Sequence, residues 1–141
     1  MSVELNHVIF RAKDKWASAR FLAGILGIET GPEWGRFVPV RVANGVTLDF
    51  ADTPEPAPQH FAFLVGDAEF DAALTRIRDA GCAFYANSHR EGRGEINHLY
   101  GGRGVYFEDP DGNMLELITQ PYGPQRMRWV AGAAVEEPQG G

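Results

Sequence analysis

The chain repeats itself, and the repeat restricts its fold more than any other feature. His7 and His60 stand 53 residues apart, as do Asp14 and Asp67, two aspartates placed to cap helices. Gly35-Arg36-Phe37-Val38 lies 67 residues before Gly102-Arg103-Gly104-Val105. Asp49, in Val46-Thr47-Leu48-Asp49-Phe50, lies 67 before Glu116, in Asn113-Met114-Leu115-Glu116-Leu117. A longer polar, glycine-rich loop at residues 87–103 accounts for the growth of the offset.

Both halves read as the same series of elements. Residues 4–10 and 59–65 read as strands. After Asp14, Phe21, Leu22, Ile25 and Leu26 recur at helical spacing until Gly27. After Asp67, Phe70, Ala73, Leu74 and Ile77 do the same until Gly81. Strands follow in the first half at 36–42 and 46–50, around an Asn44-Gly45 turn. In the second half Phe84 and Tyr85 open a strand. A hairpin then turns at Asp109-Pro110-Asp111-Gly112-Asn113. A single βαβββ module cannot bury both faces of its sheet, but two related by a pseudo-two-fold can. The expected fold class is α+β: two tandem βαβββ modules forming a cupped mixed sheet with helices outside.

The modules span about 4–51 and 59–119 of a domain at 1–120. Prolines 54, 56 and 58 stiffen the linker between them. In the tail, 121–141, Pro121, Gly123 and Pro124 break regular structure, and 131–141 reads as small, polar and mobile. Met127, Trp129 and Val130 either pack on the chain's own surface or form a dimer contact.

A net charge of −6 argues against nucleic acid or an anionic membrane as the main partner. No apolar run is long enough to span a bilayer, and the N-terminus lacks the regions of a signal peptide, so a cytoplasmic location is expected. One cysteine, Cys82, leaves no intrachain disulfide and reads as a small buried residue.

The polar residues on the strands carry the functional argument. Phe61, Phe63 and Val65 form the bulky face of their strand, so His60 faces away from the helix. Leu48 and Phe50 do the same for Asp49, and Leu115 and Leu117 for Glu116. The repeat therefore predicts that His7, His60, Asp49 and Glu116 converge on one concave face. Two imidazoles with one or two carboxylates suit a divalent metal, and two histidines with one carboxylate form the facial triad of non-haem Fe(II) enzymes. We expect His7, His60 and Glu116 as ligands, and Asp49 as either a fourth ligand or a group behind them.

The paired modules, the first-strand histidines and the Glu108-Asp109-Pro110-Asp111-Gly112-Asn113-Met114-Leu115-Glu116 hairpin resemble the glyoxalase/bleomycin-resistance/dioxygenase (vicinal oxygen chelate) superfamily. That resemblance covers about residues 4–119. It implies a metal that chelates neighbouring substrate oxygens. Ile96-Asn97-His98, Val105-Tyr106, Asp109-Pro110, Gly112 and Glu116 further resemble the C-terminal pattern of extradiol ring-cleavage dioxygenases. The resemblance implies Fe(II), a catechol-like small-molecule substrate, and His98 and Tyr106 as catalytic groups contacting substrate or dioxygen, with Asp49 shuttling a proton. A homodimer is the default.

The chain departs from the extradiol pattern in two ways. It lacks an additional N-terminal module pair, and no histidine stands between His7 and His60, where Asp49 occurs instead. A carboxylate there resembles glyoxalase I and related isomerases. The alternatives are therefore glyoxalase-type lyase or isomerase chemistry or fosfomycin-type thiol transfer, on Ni, Zn or Mn, or a metal-free small-molecule binding (resistance) protein. For residues 87–103 two readings stand open: a lid bringing His89, Arg90, Arg93 and Arg103 to an anionic substrate, or a solvated loop.

Overall fold

The computed structural model describes residues 2–122 and, beyond them, the backbone of two strands, Met127–Val130 and Ala133–Glu136. The first module runs β1 (His7–Ala12), α1 (Lys15–Leu26), β2 (Val38–Arg41) and β3 (Thr47–Asp52). The second runs β4 (His60–Leu64), α2 (Asp67–Asp79), β5 (Phe84–Tyr85), a 3-10 turn (Leu99–Gly101), β6 (Gly104–Glu108) and β7 (Met114–Ile118).

The two helices begin differently. An Asp14 carboxylate oxygen accepts the Ala17 N–H at 3.1 Å, and Gly27, at φ 73°, closes α1. A side chain at Gly27 would also collide with Arg76, whose Nη1 lies 2.6 Å from the position a Cβ would take. In α2 the expected cap at Asp67 is corrected: Gly66 is the N-cap and Asp67 is the first helical residue. The Asp67 carboxylate is drawn to Arg103 at 3.1 Å, a charge-assisted bond that replaces local capping.

Strand pairing reproduces the repeat residue by residue. The sheet orders are β1-β3-β2 and β4-β7-β6-β5, with the first and last strands of each module parallel. His7 opposes Thr47 as His60 opposes Met114; Ile9 opposes Asp49 as Ala62 opposes Glu116. Pro39 opposes Asp49 as Tyr106 opposes Glu116. Even the short β5 has a counterpart, because the Phe84–Phe107 pair matches the isolated bridge Thr30–Val40.

The α+β class and the paired, cupped, mixed-sheet modules are as the repeat predicts. The hydrogen-bond ladder is not continuous between them: each module closes its own sheet, leaving β1 and β4 as edges. The sheets join through side chains instead. Buried Phe10 stacks on Phe50 at 4.3 Å within its module and on Phe61 at 4.6 Å across to the other. Leu22, Ile25, Phe70, Ile77, Leu115 and Leu117 complete one core drawn from both modules. Cys82 is partly buried against this core, and burial pushes its thiol pKa up.

The tail departs from expectation. Strands β8 (Met127–Val130) and β9 (Ala133–Glu136) pair antiparallel, where the composition suggested no regular structure. The side-chain packing of Met127, Trp129 and Val130 lies outside the described residues. Among the described residues no helix is long and apolar enough to cross a membrane.

Candidate metal centre

β4 and β7 are parallel neighbours, and their alternation sends Phe61, Phe63, Leu115 and Leu117 to the core. The intervening His60 and Glu116 occupy the opposite face. His60 Nε2 lies 3.1 Å from Glu116 Oε1. The imidazole side chain is about half exposed, whereas Glu116 is 1% exposed. A buried carboxylate needs compensation, because leaving water costs a charge heavily.

Hydrogen-bond donors can be assigned by elimination. The Met114 carbonyl can only accept, so His60 Nδ1 carries a proton and donates it at 2.8 Å. If Nε2 carries no proton of its own, it presents a lone pair to the Glu116 oxygen. Two lone pairs facing each other at this distance repel unless a cation, either a proton or a metal ion, is held there. A metal-binding histidine commonly donates its other N–H to a backbone carbonyl in this way. The donor set thus fits a divalent ion.

The other Glu116 oxygen is anchored. Tyr122 donates its hydroxyl proton to Oε2 at 2.7 Å. With that proton committed, Tyr106 must be the donor in the 3.1 Å contact between the two phenols. Burial is the largest cause raising the pKa of each phenol above its ordinary value; for Tyr122 the bonds to Tyr106 and Glu116 add to it. The Tyr106 ring lies 6.0 Å from His60 and the Tyr100 ring 4.7 Å from Tyr122. Tyr100 itself sits at φ 60°, a left-handed conformation that non-glycine residues seldom adopt and that often marks functional regions.

The structure brings together only part of the expected set. Among the described residues no three His, Cys, Asp or Glu side chains are placed to share a metal ion. His7 is exposed at the head of β1, with Nδ1 2.7 Å from the Asn6 side-chain oxygen. Asp49 is buried at 8% exposure in β3, between Ile9 and Pro39 in the ladder. The expected convergence of all four residues within one chain is therefore corrected. Each first strand pairs with the last strand of its own module, so the repeat sets His7 with Asp49 and His60 with Glu116 as equivalent half-sites; in the second the two side chains meet at 3.1 Å, whereas in the first His7 contacts Asn6. His98 is exposed just before the 3-10 turn. Two loop cations are already committed: Arg90 to Glu108, and Arg103 to Asp67 and Asp71.

Tyr122 and Tyr100 were not among the expected site residues. Tyr122 follows the last repeated strand and has no counterpart in the first module, so the symmetry that exposed the other positions is silent about it. The hairpin turn positions the site from behind. Asp109 accepts the Asp111 and Asn113 N–H groups at 2.9 and 2.8 Å and the Asn113 amide at 2.8 Å. Asn113 in turn accepts the N–H of Gln59 at 2.7 Å, fixing the residue before His60. An apolar groove of roughly 400 Å³, lined in part by Leu5, Val8, Leu48, Phe61 and Phe63, runs between the β1 and β4 edges.

Comparison with known proteins agrees with this architecture. The family model for the Glyoxalase/Bleomycin resistance protein/Dioxygenase superfamily matches residues 4–117. The structure of Oxidase ChaP-H2 is 54% identical, with a TM-score of 0.85 over 87% of this chain and 98% of that one. That of Oxidase ChaP-H1 is 52% identical, with a TM-score of 0.84 over 86% and 99%. Glutathione transferase FosA of Serratia marcescens is 26% identical over 124 residues, 83% of this chain and 81% of the relative.

Proposed function

The chain belongs to the Glyoxalase/Bleomycin resistance protein/Dioxygenase superfamily, and from that premise we propose that it is an Fe(II)-dependent oxygenase, of dioxygenase type, acting on a catechol-like small molecule. The observation that carries the metal is the His60–Glu116 pair, with Nε2 3.1 Å from the carboxylate and Nδ1 held by the Met114 carbonyl. The oxidative assignment is supported by similarity above half identity to two proteins named as oxidases.

His60 and Glu116 are two ligands, and His7 of a second copy is the third. A homodimer is favoured because one chain carries two incomplete half-sites, two unpaired sheet edges and exposed Leu5 and Leu64 beside the apolar groove. A two-fold axis sets the first module of one copy against the second module of the other, as the internal repeat itself suggests. Asp49 then stands behind the imidazole supplied by its own module.

A bound Fe(II) supplies Lewis acidity toward vicinal substrate oxygens and redox chemistry with dioxygen. The protein's own groups do the positioning. Tyr122 holds Glu116 Oε2, leaving Oε1 directed toward His60. Tyr106 holds its proton on the oxygen directed at Tyr122 and lays its ring beside the imidazole, on the face of the sheet away from the main core. His98, exposed just before the 3-10 turn that carries Tyr100, is the proton carrier in this reading.

The test is anaerobic loading with Fe(II), followed by a catechol panel and dioxygen. Oxygen consumption with a ring-opened product is expected, and it should be lost in Glu116→Gln. Fosfomycin turnover with glutathione, or isomerisation of an α-keto aldehyde adduct, in the absence of oxygen uptake would contradict the assignment.

A further inference from the structure

At the start of β2 the chain makes a tight turn, Trp34-Gly35-Arg36-Phe37, closed by reciprocal backbone bonds of 2.8 and 2.9 Å between Trp34 and Phe37. The turn is fixed from outside. Lys15 Nζ donates to the Arg36 carbonyl at 3.0 Å and pairs with Glu33 at 2.7 Å. The Phe37 ring backs the indole at 6.4 Å and 20°, and the Arg36 guanidinium lies 4.9 Å above the Phe37 ring. Yet Trp34 is 71% exposed. A single exposed apolar residue ordinarily needs no explanation. Here an ordered turn, with its cation stacked on the neighbouring Phe37, holds the largest apolar side chain in solvent.

The repeat says where this turn belongs. Phe37 lies two residues before Pro39, which opposes Asp49, so alternation places Phe37 on the face of the first half-site. The counterpart of Phe37 is Gly104, two residues before Tyr106, which opposes Glu116. Gly104 is bridged to Asn97 as Phe37 is bridged to Trp34. The loop thereby closed carries Tyr100, whose ring lies against Tyr122, the donor to Glu116. The two loops thus lead into equivalent strands, and each carries an aromatic ring. One ring is packed; the other, Trp34, faces solvent.

We propose that Trp34 is the stacking platform for the planar aromatic ring of the substrate. This rests on the metal-centre assignment above, because the first half-site of one copy must face the second half-site of its partner. Stacking on an indole selects for planar aromatic chelators over aliphatic ones of equal charge, since the latter offer no π-face.

Calorimetry with 4-nitrocatechol and with acetohydroxamate, an aliphatic chelator, tests this on Mn(II)-loaded protein under anaerobic conditions. Trp34→Ala should weaken 4-nitrocatechol about 10-fold, of the order expected when an aromatic contact is lost. Acetohydroxamate affinity and metal stoichiometry should stay unchanged, and Trp34→Phe should recover most of the loss. Equal affinity of wild type and Trp34→Ala for 4-nitrocatechol overturns the proposal. So does dissociation of the variant into monomers with both chelators weakened, which would make Trp34 an interface residue. The same titration is run on metal-free protein at higher 4-nitrocatechol concentration. A wild type that takes up no metal refutes the metal assignment, while a wild-type-to-Ala difference in the metal-free titration still decides the role of Trp34.

Discussion

Replacing Tyr122 by Phe removes one oxygen atom from the region behind the metal pair and should weaken metal binding without emptying the fold. Tyr122 is the donor to Glu116 Oε2 at 2.7 Å and the acceptor for Tyr106 at 3.1 Å. Glu116 is 1% exposed, so water cannot readily replace the lost donor. A hydrogen bond to a charged group contributes about 1.5–3 kcal/mol net. Part of that loss falls on the unloaded protein. The part specific to metal binding comes from orientation: with Oε2 free, the carboxylate must be re-ordered when Oε1 engages the ion. Removing a partner that orients a ligand typically lowers metal affinity about 10–100-fold, equivalent to roughly 1.4–2.8 kcal/mol. Titration calorimetry of Zn(II) and Mn(II) into wild type and Tyr122→Phe, with thermal melts of the metal-free proteins alongside, separates affinity from stability. Unchanged affinity for both ions would refute the role given to Tyr122, whatever happens to the melt.

Phe10→Ala should cost about 3–5 kcal/mol, because Phe10 is fully buried and its ring links Phe50 to Phe61 across the two modules. Urea unfolding should still show one transition, and a loss below about 1 kcal/mol would contradict the shared core. Asp109 offers a pH test. Burial is the largest cause raising its pKa, so the folded state holds a proton where the unfolded chain has released it. Its contribution is complete below the unfolded value of about 3.9 and is lost as pH rises through the folded pKa. Urea melts from pH 4 upward should show wild type losing stability relative to Asp109→Asn across that window. A difference independent of pH, or of opposite slope, would contradict the direction of the shift.

How much of this was legible in the sequence depends on what each signal encodes. Period-two alternation encodes faces, so Leu115 and Leu117 on the core face and Glu116 on the opposite one could be read directly. Equal offsets encode equivalent places, and the ladder confirms them down to Pro39 and Tyr106 opposite Asp49 and Glu116. Neither signal encodes which edges meet. Equivalent half-sites can be completed within a chain or between chains, and that is where the expected four-residue cluster gave way. Asp67 carries the composition of a cap, but its carboxylate is taken by Arg103, 36 residues away, a pairing no local pattern reports. The same holds for Arg90, engaged with Glu108 and so committed away from the substrate role considered for its loop. Tyr122 lies past the last repeated strand, without a symmetry mate to call attention to it.

The central claim, that His7 of one copy completes the His60/Glu116 half-site of another, is tested most directly by metal content in mixed dimers. His7→Ala and His60→Ala homodimers should each bind no ion tightly. In a heterodimer of the two variants, one site loses both histidines and the other keeps both. The expected result is half the wild-type metal content, one ion per dimer, by elemental analysis after gel filtration. A heterodimer as empty as the two parents would contradict the account.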